Sequence, residues 1–304
     1  MELLHLKYFQ ETARLEHMSR AAEALHISQP SLSQAIHRLE EEVGMPLFDR
    51  EGRNIRLNEA GRIFLKYVDE VFQALDNASL ELNELKSKKN CRVSICFQAA
   101  SALLPDILSL IKEKNPNLEI QIYQKMGEIP PGQMDMVLAS SREAPQDPDT
   151  DLLLKEELVA VLPKDHPLAS LRELDAGKLS SLELISLSPD SSLYRIIDDY
   201  CRIYRIQLHI TTYVDSPATM RELLRAGLGA AIIPERTWKG FAGKQTVTVP
   251  LKGCEMQRAL TLSMNSSRYQ TEAAKTCRDL ICSYFEQLRE NRWKPSGAGE
   301  ISFS

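Results

Sequence analysis

SRAAEALHISQPSLSQAIHRLE, residues 19–40, decides how this chain is read. Ser19 is placed to cap a short helix over RAAEAL, in which Ala21, Ala22 and Leu25 form a small-residue face that lets a second helix cross closely. His26-Ile27 make a turn, Ser28 is a second cap, and Pro30 is tolerated because the first helical turn has no intrahelical use for its amide. From about Gln29 to Glu42 the spacing of Leu32, Ile36, Leu39 and Val43 defines an inward stripe, so Gln29, Ser33, Gln34, His37 and Arg38 face outward. Such amides and hydroxyls read base edges: Gln29 and Gln34 suit adenine, and Ser33 suits a base or a phosphate. A merely solvated face is the usual meaning of a polar stripe. A short helix, a turn and a long helix together favour a recognition helix.

Upstream, Leu3, Leu6, Phe9, Ala13 and Leu15 mark a first helix over residues 3–15. Downstream, extended runs at Leu47-Phe48 and Ile55-Leu57 flank a polar turn at Gly52, which reads as a β-wing. Residues 1–58 hold seven Lys and Arg against nine Asp and Glu, within a chain whose formal net charge is −5. Bulk charge therefore argues against a nucleic-acid partner, and the case rests on where cations sit. Arg50, Arg53 and Arg56 gather on the wing, where phosphate or minor-groove contacts are made. Four of the six histidines, His5, His17, His26 and His37, add charge only below neutral pH.

The run Leu6-x-x-Phe9, Ser19-x-Ala21-Ala22-x-x-Leu25-x-Ile27-Ser28-Gln29-Pro30-Ser31-Leu32-Ser33, Ile36-x-x-Leu39-Glu40, Gly44-x-Pro46-Leu47-Phe48-x-Arg50 and Leu57-x-x-Ala60-Gly61 resembles the LysR-family DNA-binding domain without a gap. The resemblance implies that Gln29, Pro30, Ser33 and Gln34 approach DNA and that Arg53 enters the adjacent groove; Ser28, Ser31, His37, Arg38, Arg50 and Arg56 complete the expected contact set. Position 34 is often Arg in that family and is Gln34 here.

Residues 59–87 contain no proline and one glycine, Gly61. There Phe64, Val68, Val71, Leu75, Ala78, Leu82 and Leu85 recur at alternating four-three spacing, a seam for pairing two helices. Phe64, Val68, Val71, Leu75, Leu82 and Leu85 are thus expected to dimerise the chain, which predicts inverted-repeat half-sites about one helical turn apart or a multiple of it. Lys88-Lys89-Asn90 is the expected hinge.

Beyond it the pattern alternates. Val93, Ile95 and Phe97 read as a strand, Leu104, Ile107, Leu108 and Ile111 as a helix, and Leu118, Ile120 and Ile122 as a strand, which predicts a parallel, doubly wound sheet. Further strands are expected at 136–139, 159–163, 184–187, 206–213, 230–234, 246–249 and 260–264, and helices at 193–204, 217–226 and 270–290. Leu162-Pro163-Lys164-x-His166-Pro167-Leu168-Ala169 and Gly227-x-Gly229-x-x-x-x-Pro234 resemble the LysR effector domain. The resemblance implies a two-lobed, periplasmic-binding-protein-like effector domain with the chain crossing twice between lobes and a cleft between them. The expected fold class is α/β: a winged helix-turn-helix (1–58), a linker helix (59–87), lobe I (91–162 and 268–291), lobe II (163–267) and a tail without fixed structure (292–304).

Helix N-termini should converge on the cleft and favour an anionic effector. Gln98, Ala99 and Ser101, together with Ser188, Ser191, Ser192 and Gly229, are the expected effector contacts, although the serines serve equally well as helix caps. The loop 97–104 is shorter than the family's, and Pro130-Pro131 exclude a helix where the family lines the cleft with one. Whether an effector exists is therefore open, and weak or no binding of simple aromatic acids is expected.

No run approaches the roughly 18 apolar residues of a membrane helix, and the opening MELLHLKYFQETARLEHM is too charged for a signal peptide; a cytoplasmic protein without a membrane partner is expected. Cys91, Cys96, Cys201, Cys254, Cys277 and Cys282 lack metal or redox-motif spacing and read as structural thiols, with a switch through Cys201 as the alternative. His166 reads as structural. No G-x-S-x-G, Walker loop, dinucleotide fingerprint or metal-spaced set occurs, so neither an enzyme nor a cofactor is expected. A solute-binding module would account for the second half alone. The implied partners are double-stranded promoter DNA, a small-molecule effector, RNA polymerase and a second copy of the chain, as homodimer or homotetramer.

Overall fold

A computed structural model describes residues 1–51, 54–86, 92–125, 132–238 and 245–290. The chain divides into two units, Met1–Lys86 and Ser87–Ser304. Among the described residues no helix is long and apolar enough to cross a membrane.

In the first unit, α1 (Leu3–Leu15), α2 (Met18–Ala24) and α3 (Gln29–Val43) precede a hairpin of β1 (Phe48–Glu51) and β2 (Asn54–Leu57), followed by α4 (Glu59–Lys86). Ala21 and Ala22 are buried, and their small size allows the close crossing of the helices around them. Phe9 anchors the core, its ring centroid 5.5 Å from Phe48 and 5.2 Å from Phe64. Two expectations need correcting. Leu3 and Leu15 are exposed, and Thr12 takes the inward position, its hydroxyl satisfied by the Tyr8 carbonyl at 2.7 Å. Ser19 lies inside α2; the cap is His17, whose Nδ1 accepts from the Arg20 amide.

The second unit runs β3 (Arg92–Phe97), α5 (Leu104–Lys114), β4 (Glu119–Tyr123), β5 (Met136–Ser141), β6 (Thr150–Pro163), α6 (Ala176–Ser180), β7 (Glu183–Leu187), α7 (Ser192–Tyr204), β8 (His209–Val214), α8 (Pro217–Arg225), β9 (Ala231–Pro234), β10 (Thr246–Val249), β11 (Gln257–Met264) and α9 (Glu272–Arg289). Its main sheet has the order β10-β6-β11-β5-β3-β4, with β9 also on β6; β7 and β8 form a separate parallel pair. The expected all-parallel sheet is corrected to a mixed one. β3 is parallel to β4 and β5, whereas β11 is antiparallel to β5 and β6, and β9 and β10 are antiparallel to β6. The cause is β6, a 14-residue strand that continues from one lobe into the other and draws its partners from the returning chain.

Two hydrophobic cores result. One gathers Val93, Ile95, Ile107, Leu138, Leu154, Leu260 and the inner face of α9 (Cys277, Ile281, Tyr284, Phe285); the other gathers Leu158–Leu162, Leu184, Ile196, Leu224, Ile233 and Met256. The lobes therefore part between Leu154 and Leu158 on β6 and between Met256 and Leu260 on β11, earlier than the expected boundaries at 162 and 267. The five apolar residues Leu158–Leu162 belong to the second core. The expected tail 292–304 and the hinge Lys88-Lys89-Asn90 lie outside the described residues.

Candidate nucleic-acid interface and inter-lobe cleft

α3 opens on Ser28, whose hydroxyl accepts from the Ser31 amide at 3.2 Å and pairs with the Ser31 hydroxyl at 2.7 Å. Both serines are thus engaged in the cap. Leu32, Ala35, Ile36 and Leu39 are buried, which leaves Gln29, Pro30, Gln34, His37 and Arg38 exposed and Ser33 half-buried. The first turn carries no acidic residue, so its positive dipole end is unopposed. Gln29, Pro30, Ser33, Gln34 and His37 line one shallow concavity with Met18, Phe48 and Ile55. Eight of the eleven expected contacts, Ser28, Gln29, Pro30, Ser31, Ser33, Gln34, His37 and Arg38, therefore share the open end and outer side of one helix.

Two of the acidic residues of this unit have structural partners. Glu40 accepts the Leu47 amide at 2.8 Å and the Phe48 amide at 3.3 Å, and Glu16 accepts the Leu57 amide at 2.8 Å. Both carboxylates thus hold the wing strands, Glu16 from an exposed position and Glu40 from the edge of the same concavity. Arg56 is exposed on β2 directly across from Asp49. Arg50 is described as backbone only, and Arg53 lies outside the described residues.

Along α4 the expected seam splits. Val68 is 2% exposed inside the unit's own core and Phe64 is packed against it, so these two are committed to the single chain, a correction. Val71, Leu75, Leu82 and Leu85 are exposed, together with Ile63 and Tyr67, which the heptad reading missed and which continue the stripe at four-residue steps.

In the second unit a cavity of about 370 Å³ lies between the lobes. Gln98, Ala99 and Ser101 line it from one side and Ser188, Ser191 and Ser192 from the other. Ser191 caps α7 by accepting the Tyr194 amide at 3.1 Å, and Ser192 Oγ reaches Ser140 Oγ of the opposite lobe at 3.0 Å. Gly229 is absent from the lining: a Cβ there would stand 2.8 Å from Ile185 Cδ1, so this glycine serves packing, a correction. His166 caps a 3₁₀ turn, its Nδ1 accepting the Leu168 amide at 3.1 Å.

Sequence reading missed the charged lining: Lys125, Asp190, Arg195, Asp215 and Arg258. The Ser188 hydroxyl and its own backbone amide, with Lys125 and Arg195 nearby, hold the Asp190 carboxyl below the usual carboxylate range. Arg258 is 3% exposed and its Nε donates to Glu156 Oε1 at 2.8 Å. Glu156 also accepts the Arg236 and Thr237 amides and the Thr237 hydroxyl, each at 2.9 Å. For Arg258, and for Glu156 beside it, the signal was present, since each places a charge inside a strand; Lys125, Asp190 and Asp215 lie outside strands and Arg195 lies on α7.

Thiol chemistry is disfavoured. Burial pushes the Cys201 thiol up to about 11, with Asp198 and Cys254 adding to it, and Cys277 up to about 12; a thiol so shifted stays protonated and unreactive at neutral pH. Cys91 lies outside the described residues. Among the described residues no group of three or more His, Cys, Asp or Glu could hold a metal ion.

Residues 3–62 match the model of the bacterial regulatory helix-turn-helix protein, lysR family, and residues 88–285 match the LysR substrate binding domain. The chain is 30% identical to the uncharacterized HTH-type transcriptional regulator YybE of Bacillus subtilis, over 94% of this chain and 100% of that protein. It is 31% identical to the Hca operon transcriptional activator HcaR of Escherichia coli, over 95% and 98% of the two chains. Full-length OxyR C199D from Pseudomonas aeruginosa shares the fold, with a TM-score of 0.63 at 21% identity over 94% of this chain and 95% of that one.

Proposed function

Because this chain belongs to the LysR family of DNA-binding transcription regulators with an effector-binding domain, we propose that it binds an interrupted inverted repeat in promoter DNA as a homodimer or homotetramer and that a small anionic effector in the inter-lobe cleft modulates that binding. The observation that carries this is the outer side of α3: a capped helix N-terminus without an acidic first turn, continued by the exposed Gln29, Gln34, His37 and Arg38. In this reading Gln29, Ser33 and Gln34 meet base edges in the major groove, and the wing arginines Arg50, Arg53 and Arg56 meet phosphates or the adjacent minor groove. The exposed half of the α4 stripe, Val71, Leu75, Leu82 and Leu85, is the helix-pairing surface. It sets the spacing of two recognition helices.

Effector binding acts by shifting the population of lobe arrangements, and so the placement of paired DNA-binding units, rather than by chemistry. Contact with RNA polymerase belongs to the same proposal. The experiment is to map the DNA protected by the purified protein with and without candidate metabolites. Two protected half-sites about one helical turn apart, or a multiple of it, are expected, with a change in protection when an effector is present. Absence of preference for any duplex over competitor at modest salt would overturn the reading.

A further inference from the structure

Resting on the reading of the cleft as an effector site, we propose that Arg258 is the ligand-recognising group at its floor and that the effector is a small monocarboxylate. The guanidinium is planar and offers two edges. Nε donates to Glu156 Oε1 and Nη2 to Thr237 Oγ1, at 2.8 and 2.7 Å, and both bonds leave from the same edge. The other edge, formed by Nη1 and the second Nη2 hydrogen, has no hydrogen-bond partner among the described residues, and Arg258 lines the cavity. Glu156 is the converse case, accepting four donors in all. The buried pair is therefore balanced in charge but unbalanced in hydrogen bonding: its carboxylate is saturated and its guanidinium is half empty. Two parallel N–H groups in a fixed plane match the two oxygens of a carboxylate.

Charge decides that one carboxylate is the limit. Among the side chains that line the cavity, Lys125, Arg195 and Arg258 stand against Asp190 and Asp215, a surplus of one positive charge that matches one carboxylate and not two. Size agrees, since about 370 Å³ lies near the lower end of the roughly 300–1,000 Å³ of ligand pockets. Position supplies the regulatory link. Glu156 on β6 and Arg258 on β11 sit where both strands pass from one lobe core to the other, so an oxyanion on the free edge bears on the crossing itself.

The test uses the full chain, titrated calorimetrically and by the fluorescence of Trp238, which lines the cavity. Propanoate, butanoate, pentanoate and hexanoate are the probes, with their amides, succinate, glutarate and sulfate for comparison. At least one monocarboxylate is expected to bind, its amide not to bind, and the dianions to bind at least about tenfold more weakly. Arg258→Lys keeps the charge opposite Glu156 but removes the fork, and should weaken binding about tenfold or more. The double variant Glu156→Gln with Arg258→Gln removes both buried charges together and should abolish binding while remaining folded. Binding undiminished in both variants, tighter binding of a dianion, or no binding by any monocarboxylate each overturns the proposal. Ser101→Trp, which fills the cavity, separates it from the parent reading: binding lost there but kept in Arg258→Lys leaves the cleft as the site and removes Arg258, whereas binding kept in both removes the cleft as well.

Discussion

Gly61 stands in the first turn of α4, and replacing it by alanine tests how that helix is joined to the wing. A Cβ at this position would lie 2.2 Å from the Leu47 carbonyl oxygen and 2.6 Å from Leu57 Cδ1. The leucine side chain can turn away; the carbonyl cannot, because it is backbone and accepts the Asn58 amide at 3.2 Å. Asn58 in turn accepts the Gly61 amide at 2.8 Å and donates to the Pro46 carbonyl at 3.0 Å, so the junction moves as one piece. Alanine brings a helix-propensity gain of about 1 kcal/mol, and overpacking against fixed atoms costs about 1–3 kcal/mol, here at the upper end. The net is about 2 kcal/mol of destabilisation, which for a unit of this size lowers Tm by about 8–16 °C. Far-UV circular dichroism of the full chain, with amide exchange at Leu32 and Leu39, measures it. Gly177→Ala is the control, since the nearest atom to its Cβ is Asp175 Oδ1 at 3.5 Å, and with no clash to offset the propensity gain it should raise stability by up to about 1 kcal/mol. If Gly61→Ala melts with the wild type and binds DNA equally well, the rigid-junction reasoning is wrong.

Gln29→Ala should cost about 1–3 kcal/mol on the specific duplex and leave competitor binding unchanged in a gel-shift titration; an equal loss on both would make Gln29 a phosphate contact. Leu82→Asp combined with Leu85→Asp should convert the chain to monomers by sedimentation, and dimers that persist would move the pairing surface away from the end of α4. The shifted thiols give a pH dependence. Because burial raises Cys201 and Cys282 to about 11 and Cys277 to about 12, the unfolded chain loses protons first, so stability is complete below about pH 9 and falls as pH rises towards 12. Urea midpoints at about pH 8 and about pH 10.5 should therefore differ in that direction, and Cys201→Ser should leave DNA binding insensitive to mild oxidant, as in the wild type.

The helix-turn-helix was legible because its signals are local: a cap, a small-residue pair and a four-residue stripe sit within 22 consecutive residues, 19–40. The second unit was legible only in pieces. Of the 14 residues of β6, the sequence marked the last five, because Lys155, Glu156 and Glu157 interrupt the apolar pattern where the strand leaves one core for the other. That interruption was itself the sign of a crossing. The mixed sheet was hidden for a related reason, since strand direction depends on where β11 returns, a long-range pairing that periodicity does not encode. Val68 and Leu82 occupy equivalent seam positions, and only packing tells that the first is used by the chain itself.

Lobe I is assembled from two stretches of chain far apart, and its core is completed by Cys277, Ile281, Tyr284 and Phe285 of α9. During synthesis the first unit leaves the ribosome contiguous and able to fold at once, whereas lobe I must wait for nearly the last helix. A premature stop after α4 but before the end of α9 therefore leaves the first unit whole and deprives lobe I of the helix face that closes its core, so a truncated product should keep one half of the molecule while losing the other.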